Sequence, residues 1–397
     1  MYAGWVSLPI RGSEVDTMYS VHDHGSMLAD RVRVAAYRRA LEQVVKPGDV
    51  VAEIGTGAGL LAVFACQFGA RRVYAIECDE IIELARQVAR DNGCEDRIEF
   101  IRGLSTDIQL PEKANVIVAD IHGGLPVYKA APAALIDARL RFLAPGGTMI
   151  PLRERIWIAA VELTSGEYDE VAVWSDGRWG VDLSAGRRFG VDCPFSARVE
   201  PEAFLTEPVC LDTLDYMTME SPAVCGRVNL RATRNGQANG YSLWFDSDLT
   251  ERVNLSTAPG KPATVYPNQF APWTRPVGVE QGGSLDADIR FLHAGDDYVW
   301  TWNTTVRTAD GKLQEQFHQS NLGSIFVTPR SLQKRAPGYR PALKENGAAV
   351  QTILGLMNGQ RTHEQIAQTV KQRHAEAFLD EKAALRAVAE ISEKYGD

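Results

Sequence analysis

An acid and a histidine follow an apolar run in the stretch VIVADIHGG, residues 116–124. A carboxylate and an imidazole at the end of a buried strand can orient a substrate or move a proton. We predict His122 as a general base, because its ordinary pKa of about 6.5 suits proton removal near neutrality. Asp120 is predicted to orient the substrate group that reacts or to orient that histidine. His24 is predicted to face the group that is transferred to the substrate. An ordinary loop histidine at position 122 remains the alternative.

A glycine-rich loop, EIGTGAG at residues 53–59, follows one apolar run and precedes another. Its glycines let the backbone turn tightly and approach a ligand closely. Glu77 ends the next predicted strand, where a carboxylate can accept hydrogen bonds from both hydroxyls of a ribose. Glu53 would repel a pyrophosphate, so it favours a cofactor that carries an ammonium and a sulfonium. A plain turn in a Rossmann-type sheet remains the alternative.

Strand and helix patterns alternate through the first part of the chain and so position these residues. Apolar residues recur at helical spacing over 25–44, and strands are predicted over 50–54, 72–77, 97–103 and 115–120. Strands separated by helices predict a parallel sheet covered on both faces. Short alternating strands with turn signals follow over 153–328 and predict an antiparallel barrel or sandwich. The fold class is therefore α/β.

The predicted domain organisation has five parts. They are N-terminal helices (1–46), a Rossmann-like cofactor-binding domain (47–151), a β-barrel domain (152–328), a linker (329–347) and a small helical C-terminal domain (348–397). In the last part, Thr362 and Gln365 have the spacing of a capping box at a helix N-terminus.

Residues 17–150 resemble the catalytic core of protein arginine methyltransferases. The resemblance rests on the glycine loop, on the acid that ends the next strand, and on a preceding helical motif made of His24, Met27, Leu28, Asp30, Arg33, Tyr37 and Arg38. It continues to about residue 330 through NLSTAP and Ala271-Pro272-Trp273. The resemblance implies a methyltransferase that uses S-adenosylmethionine and releases S-adenosylhomocysteine. It also implies that the N-terminal helices cover the cofactor, that the β-barrel domain serves substrate binding and dimerisation, and that a homodimer forms through an arm near residues 185–210.

The resemblance also implies roles for single residues. Arg33 would bind the methionine carboxylate as a bidentate fork, and Glu77 would hold the ribose diol. The residues implied around the adenine are Leu104, Ser105 and Thr106. The remaining implied cofactor contacts are Met27, Glu53, Gly55, Thr56, Gly57, Gly59, Leu60, Cys78 and Asp120. The predicted acceptor contacts are Tyr19, Gly123 and Trp273.

The acceptor loop departs from the pattern of that family. Two glutamates of the family bind a guanidinium, and here Asp120 takes the first position while Lys129 takes the second. A lysine beside a guanidinium would weaken binding through like charge, and the glycines after His122 are expected to widen the pocket. We therefore predict N- or O-methylation of a peptide or specialised metabolite. Arginine or guanidino methylation, a non-catalytic scaffold and, more distantly, a dinucleotide oxidoreductase are the alternatives.

The segment LMNGQRTHEQIAQTVKQRHAEAF, residues 356–378, resembles the helical part of small PqqD-like peptide-recognition domains. That resemblance implies a docking site for a leader peptide or a carrier-borne substrate. The alternative is a helical appendage that packs on the barrel or on a dimer mate.

The composition limits which partners and which cell compartment we expect for this protein. The chain has 397 residues and a net charge of -9, with 51 acids against 42 bases, which argues against a nucleic-acid surface. It has no apolar run of about 18 residues and no secretion-signal pattern, so we expect a cytoplasmic protein without a membrane partner. Its six cysteines lack a CxxC pair, so we expect reduced thiols and no metal site.

Overall fold

A computed structural model describes residues 19–164, 166–295 and 297–396. The chain divides into two compact units, Met1–Ile325 and Phe326–Asp397. The first unit contains a parallel sheet followed by two antiparallel sheets, and the second is helical. The predicted α/β class is confirmed. The part of the predicted N-terminal helical region that precedes residue 19 lies outside the described residues.

The first part of the larger unit is a parallel sheet in the order β3-β2-β1-β4-β5. Its strands are β1 (Val50–Ile54), β2 (Arg72–Glu77), β3 (Ile98–Arg102), β4 (Ala114–Ala119) and β5 (Leu143–Ile150). Its helices are α1 (Val21–Ala29), α2 (Arg31–Val44), α3 (Leu60–Gln67), α4 (Ile82–Asp91) and α5 (Ala131–Phe142), with a 3₁₀ turn at Glu95–Arg97. Because β1 lies between β2 and β4, the loops after these three strands meet at one edge of the sheet.

The helical pattern over residues 25–44 is interrupted at Asp30. The Asp30 side chain caps α2 by accepting a hydrogen bond from the Arg33 amide at 3.0 Å. Its other carboxylate oxygen accepts one from the Val265 amide at 2.8 Å, which ties the break to the antiparallel part of the unit. This long-range contact fixes the start of α2 and therefore the position of Arg33.

The second part of the unit is formed by two antiparallel sheets, in the orders β7-β12-β10-β6-β8, with β11 beside β10, and β15-β14-β13-β9. The strands are β6 (Arg153–Val161), β7 (Phe195–Ala197), β8 (Val209–Asp215), β9 (Val224–Arg231), β10 (Gly236–Asp248), β11 (Asn254–Ser256), β12 (Asn268–Val279), β13 (Ser284–Ala294), β14 (Asp297–Arg307) and β15 (Leu313–Ser320). The sheets approach each other at β8–β9 and at β12–β15, as in a barrel.

Short helices accompany the barrel. They are α6 (Asp169–Ala172) and α7 (Ser184–Gly190), with 3₁₀ turns at Pro201–Ala203 and Asn321–Ser324. Both short helices belong to an excursion between β6 and β8. The barrel interior is filled by alternating side chains, among them the fully buried Trp273, Trp302 and Phe291. The same apolar core continues under one face of the parallel sheet, which joins the two parts of the unit.

The second unit contains four helices among the residues described. They are α8 (Pro329–Arg335), α9 (Glu345–Leu356), α10 (His363–Arg373) and α11 (Glu381–Tyr395), so the segment predicted as a linker includes a short helix. The last three pack around a small core centred on Ile353, Val370 and Val388. The capping box predicted at Thr362 and Gln365 is confirmed, since each residue bonds the backbone amide of the other.

Across the described ranges, no helix is long and apolar enough to cross a membrane. The same ranges contain no group of three metal-ligating side chains. All six cysteines are free thiols.

Candidate active site

A cavity of about 360 Å³ opens at the carboxyl edge of the parallel sheet. The loops after β1, β2, β3 and β4 line one side of it, and α1, α2 and Tyr266 from the barrel line the other. A cavity of this size suits a ligand as large as a nucleoside with a short chain attached.

The glycine loop after β1 forms a cradle at one end of the cavity. Gly55 and Gly57 have φ values of 73° and 52°, which favour glycine. A Cβ on Gly55 would lie 2.5 Å from Ile121 Cγ2, so the backbone there has no room for a side chain. Glu77 Oε2 accepts a hydrogen bond from the Gly57 amide at 2.9 Å, and its Oε1 accepts one from the Asp79 amide at 3.1 Å. Oε1 also accepts from Cys78 Sγ at 3.6 Å, whereas Oε2 keeps a further lone pair for a hydroxyl donor.

Glu53 lies beneath this loop and is 1% exposed. Burial raises its pKa to about 8, although a hydrogen bond from Thr56 Oγ1 at 2.7 Å opposes the shift. Glu53 is therefore largely protonated near neutrality when no cation lies beside it. An ammonium nearby would lower that pKa again and favour the carboxylate.

Arg33 projects from α2 into the cavity. One guanidinium nitrogen donates to Asp120 Oδ2 and the other to the Met27 carbonyl oxygen. Nε has no hydrogen-bond partner although it is buried. Burial would lower the pKa of Arg33, but the charge and hydrogen bond of Asp120, together with Tyr266 and Tyr37, raise it overall. Arg33 is therefore a permanent cation at the edge of the cavity.

Asp120 directly follows β4 and is held from three sides. Tyr266 Oη donates to its Oδ1, His122 Nδ1 lies 3.3 Å from the same oxygen, and Arg33 holds Oδ2. Burial would raise the pKa of Asp120, but the bond with His122 and the charge of Arg33 bring it down to about 2. Asp120 is therefore a fixed carboxylate and a very weak base.

His122 is not a free base. Its Nδ1 faces Asp120, its Nε2 lies 2.9 Å from Glu154 Oε1, and its side chain is 4% exposed. Burial would lower its pKa, but the charge of Glu154 and the bond with Asp120 raise it to about 10. A ring with a raised pKa whose two nitrogens both face carboxylates is poorly suited to take a proton, so the general-base role of His122 stays a prediction that this geometry disfavours.

Two residues of this network were missed by sequence reasoning. Glu154 is fully buried in β6, and its Oε2 accepts a hydrogen bond of 2.6 Å from Tyr216. The alternation of RERIWIAAV places Glu154 on the inward face of that strand, and an acid there signals a buried partner. Tyr266 lies in the loop between β11 and β12, where no periodicity marks it.

Most of the predicted site residues line the cavity. These are Tyr19, His24, Met27, Arg33, Glu53, Gly55, Thr56, Gly57, Leu60, Glu77, Cys78, Leu104, Ser105, Asp120 and His122. Gly59, Thr106, Gly123 and Trp273 are absent from its wall.

Three of these four residues have other contacts. Gly59 packs the start of α3 against α4, where a Cβ would lie 3.0 Å from Ala85 Cβ. The Thr106 hydroxyl bonds Asp107. Trp273 is fully buried in the barrel against Tyr241, not in the cavity.

The glycines after His122 do not widen the pocket as predicted. A Cβ on Gly123 would lie 2.6 Å from the Tyr128 ring. One on Gly124 would lie 2.1 Å from Gln269 Nε2 and 2.8 Å from the Pro267 carbonyl oxygen. The space that larger side chains would occupy is therefore filled by neighbouring residues.

Lys129 lines the cavity on the acceptor-loop side. Its backbone has a φ of 45°, and its ammonium lies 5.4 Å from the centre of the Tyr128 ring. The Tyr128 hydroxyl is 3.4 Å from that of Tyr19. No acid of this loop other than Asp120 lines the cavity.

The residues present fit S-adenosylmethionine. The partly unpaired Arg33 guanidinium suits the methionine carboxylate, and Glu77 suits a ribose diol because its orientation is fixed by two backbone amides. The glycine cradle allows close backbone approach.

Comparison with known proteins points the same way. A family model described as ribosomal protein L11 methyltransferase matches residues 38–151. A second, described as arginine methyltransferase oligomerization subdomain, matches residues 153–303. Among solved structures, Arabidopsis thaliana protein arginine methyltransferase 10 has a TM-score of 0.67 and 25% identity, covering 76% of this chain and 97% of its own. The Trypanosoma brucei PRMT1 enzyme-prozyme complex has a TM-score of 0.68 at 23% identity, covering 75% and 97%, and supports the fold alone.

Matches to named proteins identify the family. Probable protein arginine N-methyltransferase 6 of Arabidopsis thaliana is 28% identical over 67% of this chain and 72% of its own length. Protein arginine N-methyltransferase 1 of Schizosaccharomyces pombe is 32% identical over 244 residues, which are 59% of this chain and 72% of that protein. With the cavity that fits S-adenosylmethionine, these matches show that the chain belongs to the protein arginine methyltransferase family and is, as predicted, an S-adenosylmethionine-dependent methyltransferase.

Proposed function

We propose that this enzyme methylates a nitrogen or oxygen nucleophile of a peptide or specialised metabolite other than an arginine side chain. The observation that carries the proposal is the charge of the acceptor side of the cavity. Lys129 lines it where the family resemblance implies a second acid, and both oxygens of Asp120 already accept from cationic or hydroxyl donors. A guanidinium would meet one compensated carboxylate and a nearby ammonium.

The cofactor would be held by residues already oriented. Arg33 would hold its carboxylate, Glu77 its ribose diol, the glycine loop its methionine part, and Leu104 with Ser105 its adenine. The bound cofactor supplies an electrophilic methyl group on a sulfonium, so the chain mainly aligns the acceptor and excludes water. Because Asp120 and His122 are poor bases here, the acceptor nucleophile would be neutral or anionic when it arrives.

Arginine methylation is the second candidate, supported by the relatives named as protein arginine N-methyltransferases. A direct comparison separates the two candidates. Purified protein with methyl-tritiated S-adenosylmethionine would be offered an arginine-containing peptide, the same peptide with arginine replaced, and a panel of amines, phenols and carboxylic acids.

We expect label on members of the panel that lack arginine. Lys129→Glu should raise label on the arginine peptide, and Lys46→Glu, which changes an exposed lysine away from the cavity, should not. If the wild type labels the arginine peptide alone, arginine methylation is the function and the first candidate is refuted. No labelling of any acceptor would support the non-catalytic scaffold.

Further proposals concern assembly and location. A homodimer is supported by the match to an oligomerization subdomain, and the excursion between β6 and β8 exposes Trp179 and Val181. Light scattering should give a dimer for the wild type and a monomer for Trp179→Glu; a wild-type monomer would contradict the proposal. Docking of a leader peptide on the second unit and a cytoplasmic location remain predictions.

A further inference from the structure

Two buried side chains, His122 and Glu154, connect the Asp120 carboxylate to the barrel interior. His122 lies between Asp120 Oδ1, at 3.3 Å, and Glu154 Oε1, at 2.9 Å. The ring stacks on Phe245, with centroids 5.5 Å apart, and meets Tyr266 edge-on at 5.6 Å. Glu154 is fully buried and does not line the cavity. Its closest link to the cavity is therefore His122.

The network alternates in charge from Arg33 through Asp120 and His122 to Glu154. Taking such charges out of water is costly, and apolar residues of similar volume are often as stable or more stable. Stability is therefore a poor reason for this arrangement. Its effect on the cavity is specific, because three donors fix both oxygens of Asp120.

We propose that Glu154 and His122 are positioning residues that act through Asp120: Glu154 holds the imidazolium, and the imidazolium fixes the orientation and charge of the acceptor carboxylate. Oδ1 is occupied by Tyr266 and His122. The remaining lone pair of Oδ2, beside Arg33, is then the one that the acceptor meets. The role of Asp120 toward the acceptor rests on the proposed function, whereas the coupling of Glu154 to His122 and Asp120 does not.

The groups that face His122 from the surrounding elements set its charge. The titratable and charged groups around the pair are Asp120, Glu154, Arg33, Tyr37, Tyr216 and Tyr266. The hydroxyls of Tyr37 and Tyr216 are both committed, to the Ala119 carbonyl and to Glu154. The two carboxylates are therefore the groups whose removal changes the protonation of His122.

The test is a pH titration of the full chain with S-adenosylhomocysteine present, followed by NMR of nitrogen-15 histidine and of the aspartate carboxyl carbon. We expect His122 to stay protonated well above neutrality in the wild type. In Glu154→Gln it should titrate near its ordinary pKa of about 6.5. In His122→Asn the pKa of Asp120 should rise. Glu162→Gln, at the end of the same strand, is the control and should change neither titration.

Methyl transfer to an acceptor found by the labelling panel supplies the second readout. Misplacing Asp120 in Glu154→Gln should lower the rate about 10- to 100-fold and give the rate a new pH dependence near neutrality, and Glu154→Asp should restore part of the rate. If Glu154→Gln fails to fold, His122→Asn and Glu154→Met carry the same comparison.

Two results would overturn the proposal: a wild-type His122 that titrates near its ordinary pKa, or folded variants with wild-type rates and pH profiles. A wild type that methylates nothing would instead refute the proposed function. In that case the proposal stands or falls on the two titrations, which need no acceptor.

Discussion

The strongest single prediction concerns Arg33 and the carboxylate of the cofactor. Arg33 offers two terminal nitrogens, which contact Asp120 and the Met27 carbonyl, and an Nε that lies 3.9 Å from Asp30 Oδ2 without a hydrogen bond. Lysine at this position keeps the charge but presents a single ammonium, so at least one contact to a charged group is lost. Such a hydrogen bond contributes about 1.5–3 kcal/mol. Because about 1.4 kcal/mol corresponds to a tenfold change, Arg33→Lys should weaken S-adenosylhomocysteine binding about 10- to 100-fold.

Calorimetry can isolate this effect. Methylthioadenosine has the same nucleoside but no amino-acid carboxylate, so its affinity should be nearly unchanged in Arg33→Lys. Arg39→Lys makes the same exchange on the exposed side of α2 and should leave both affinities unchanged. The reasoning is refuted if Arg33→Lys binds S-adenosylhomocysteine as the wild type does, or if methylthioadenosine loses as much affinity.

Three further predictions follow from the same site. Glu77→Gln should weaken the binding of both S-adenosylhomocysteine and methylthioadenosine by about tenfold in calorimetry, because each loses a charge-assisted bond to the ribose. Glu80→Gln, at an exposed ion pair, should weaken the binding of neither ligand. Equal affinities for the wild type and both variants would exclude Glu77 from the ribose site. The pKa of His122 is raised to about 10 in the folded chain. Its contribution to the free energy of unfolding is therefore complete below about pH 6.5 and is lost as the pH rises through about 10, and that free energy falls by up to about 1.4 kcal/mol per pH unit. Urea unfolding should show this decline in the wild type, and a decline just as steep in His122→Asn would contradict the prediction. Gly124→Ala should destabilise by about 1–3 kcal/mol, since the new methyl group would collide with a barrel amide and a backbone carbonyl, while Gly25→Ala in α1, which meets nothing within 4 Å, should be neutral or stabilising in thermal unfolding.

Local patterns determined the elements of the parallel sheet well. The predicted strands at 50–54 and 72–77 match β1 and β2 residue for residue, and the other two differ by one residue at their ends. Buried parallel strands are continuous apolar runs bounded by glycines and acids, so their signal is carried by neighbouring residues. The glycine loop and Glu77 could be predicted for the same reason, because strand ends at one edge of a parallel sheet converge.

The break between α1 and α2 at Asp30 could not be predicted from the local sequence pattern. Helical periodicity continues through residues 25–44, and the interruption depends on the Val265 amide, which lies far along the chain. Gly59, Gly123 and Trp273 lie outside the wall of the cavity for a related reason. We predicted a ligand contact at each, but Gly59 and Trp273 pack against other elements, and the Tyr128 ring of the same loop fills the space beside Gly123.

The fold class and the family could be predicted from the sequence alone, as could most residues that line the cavity, because strands and turns are encoded by residues close in sequence. The departure from the family pattern at Asp120 and Lys129 is also visible in the sequence. The chemistry of His122, in contrast, depends on the tertiary fold. An imidazole has an ordinary pKa near neutrality, and the two carboxylates that raise it come from different parts of the fold, Asp120 from the end of β4 and Glu154 from inside β6. Charge state depends on burial and on partners in space, and neither can be read from the residue and its neighbours along the chain.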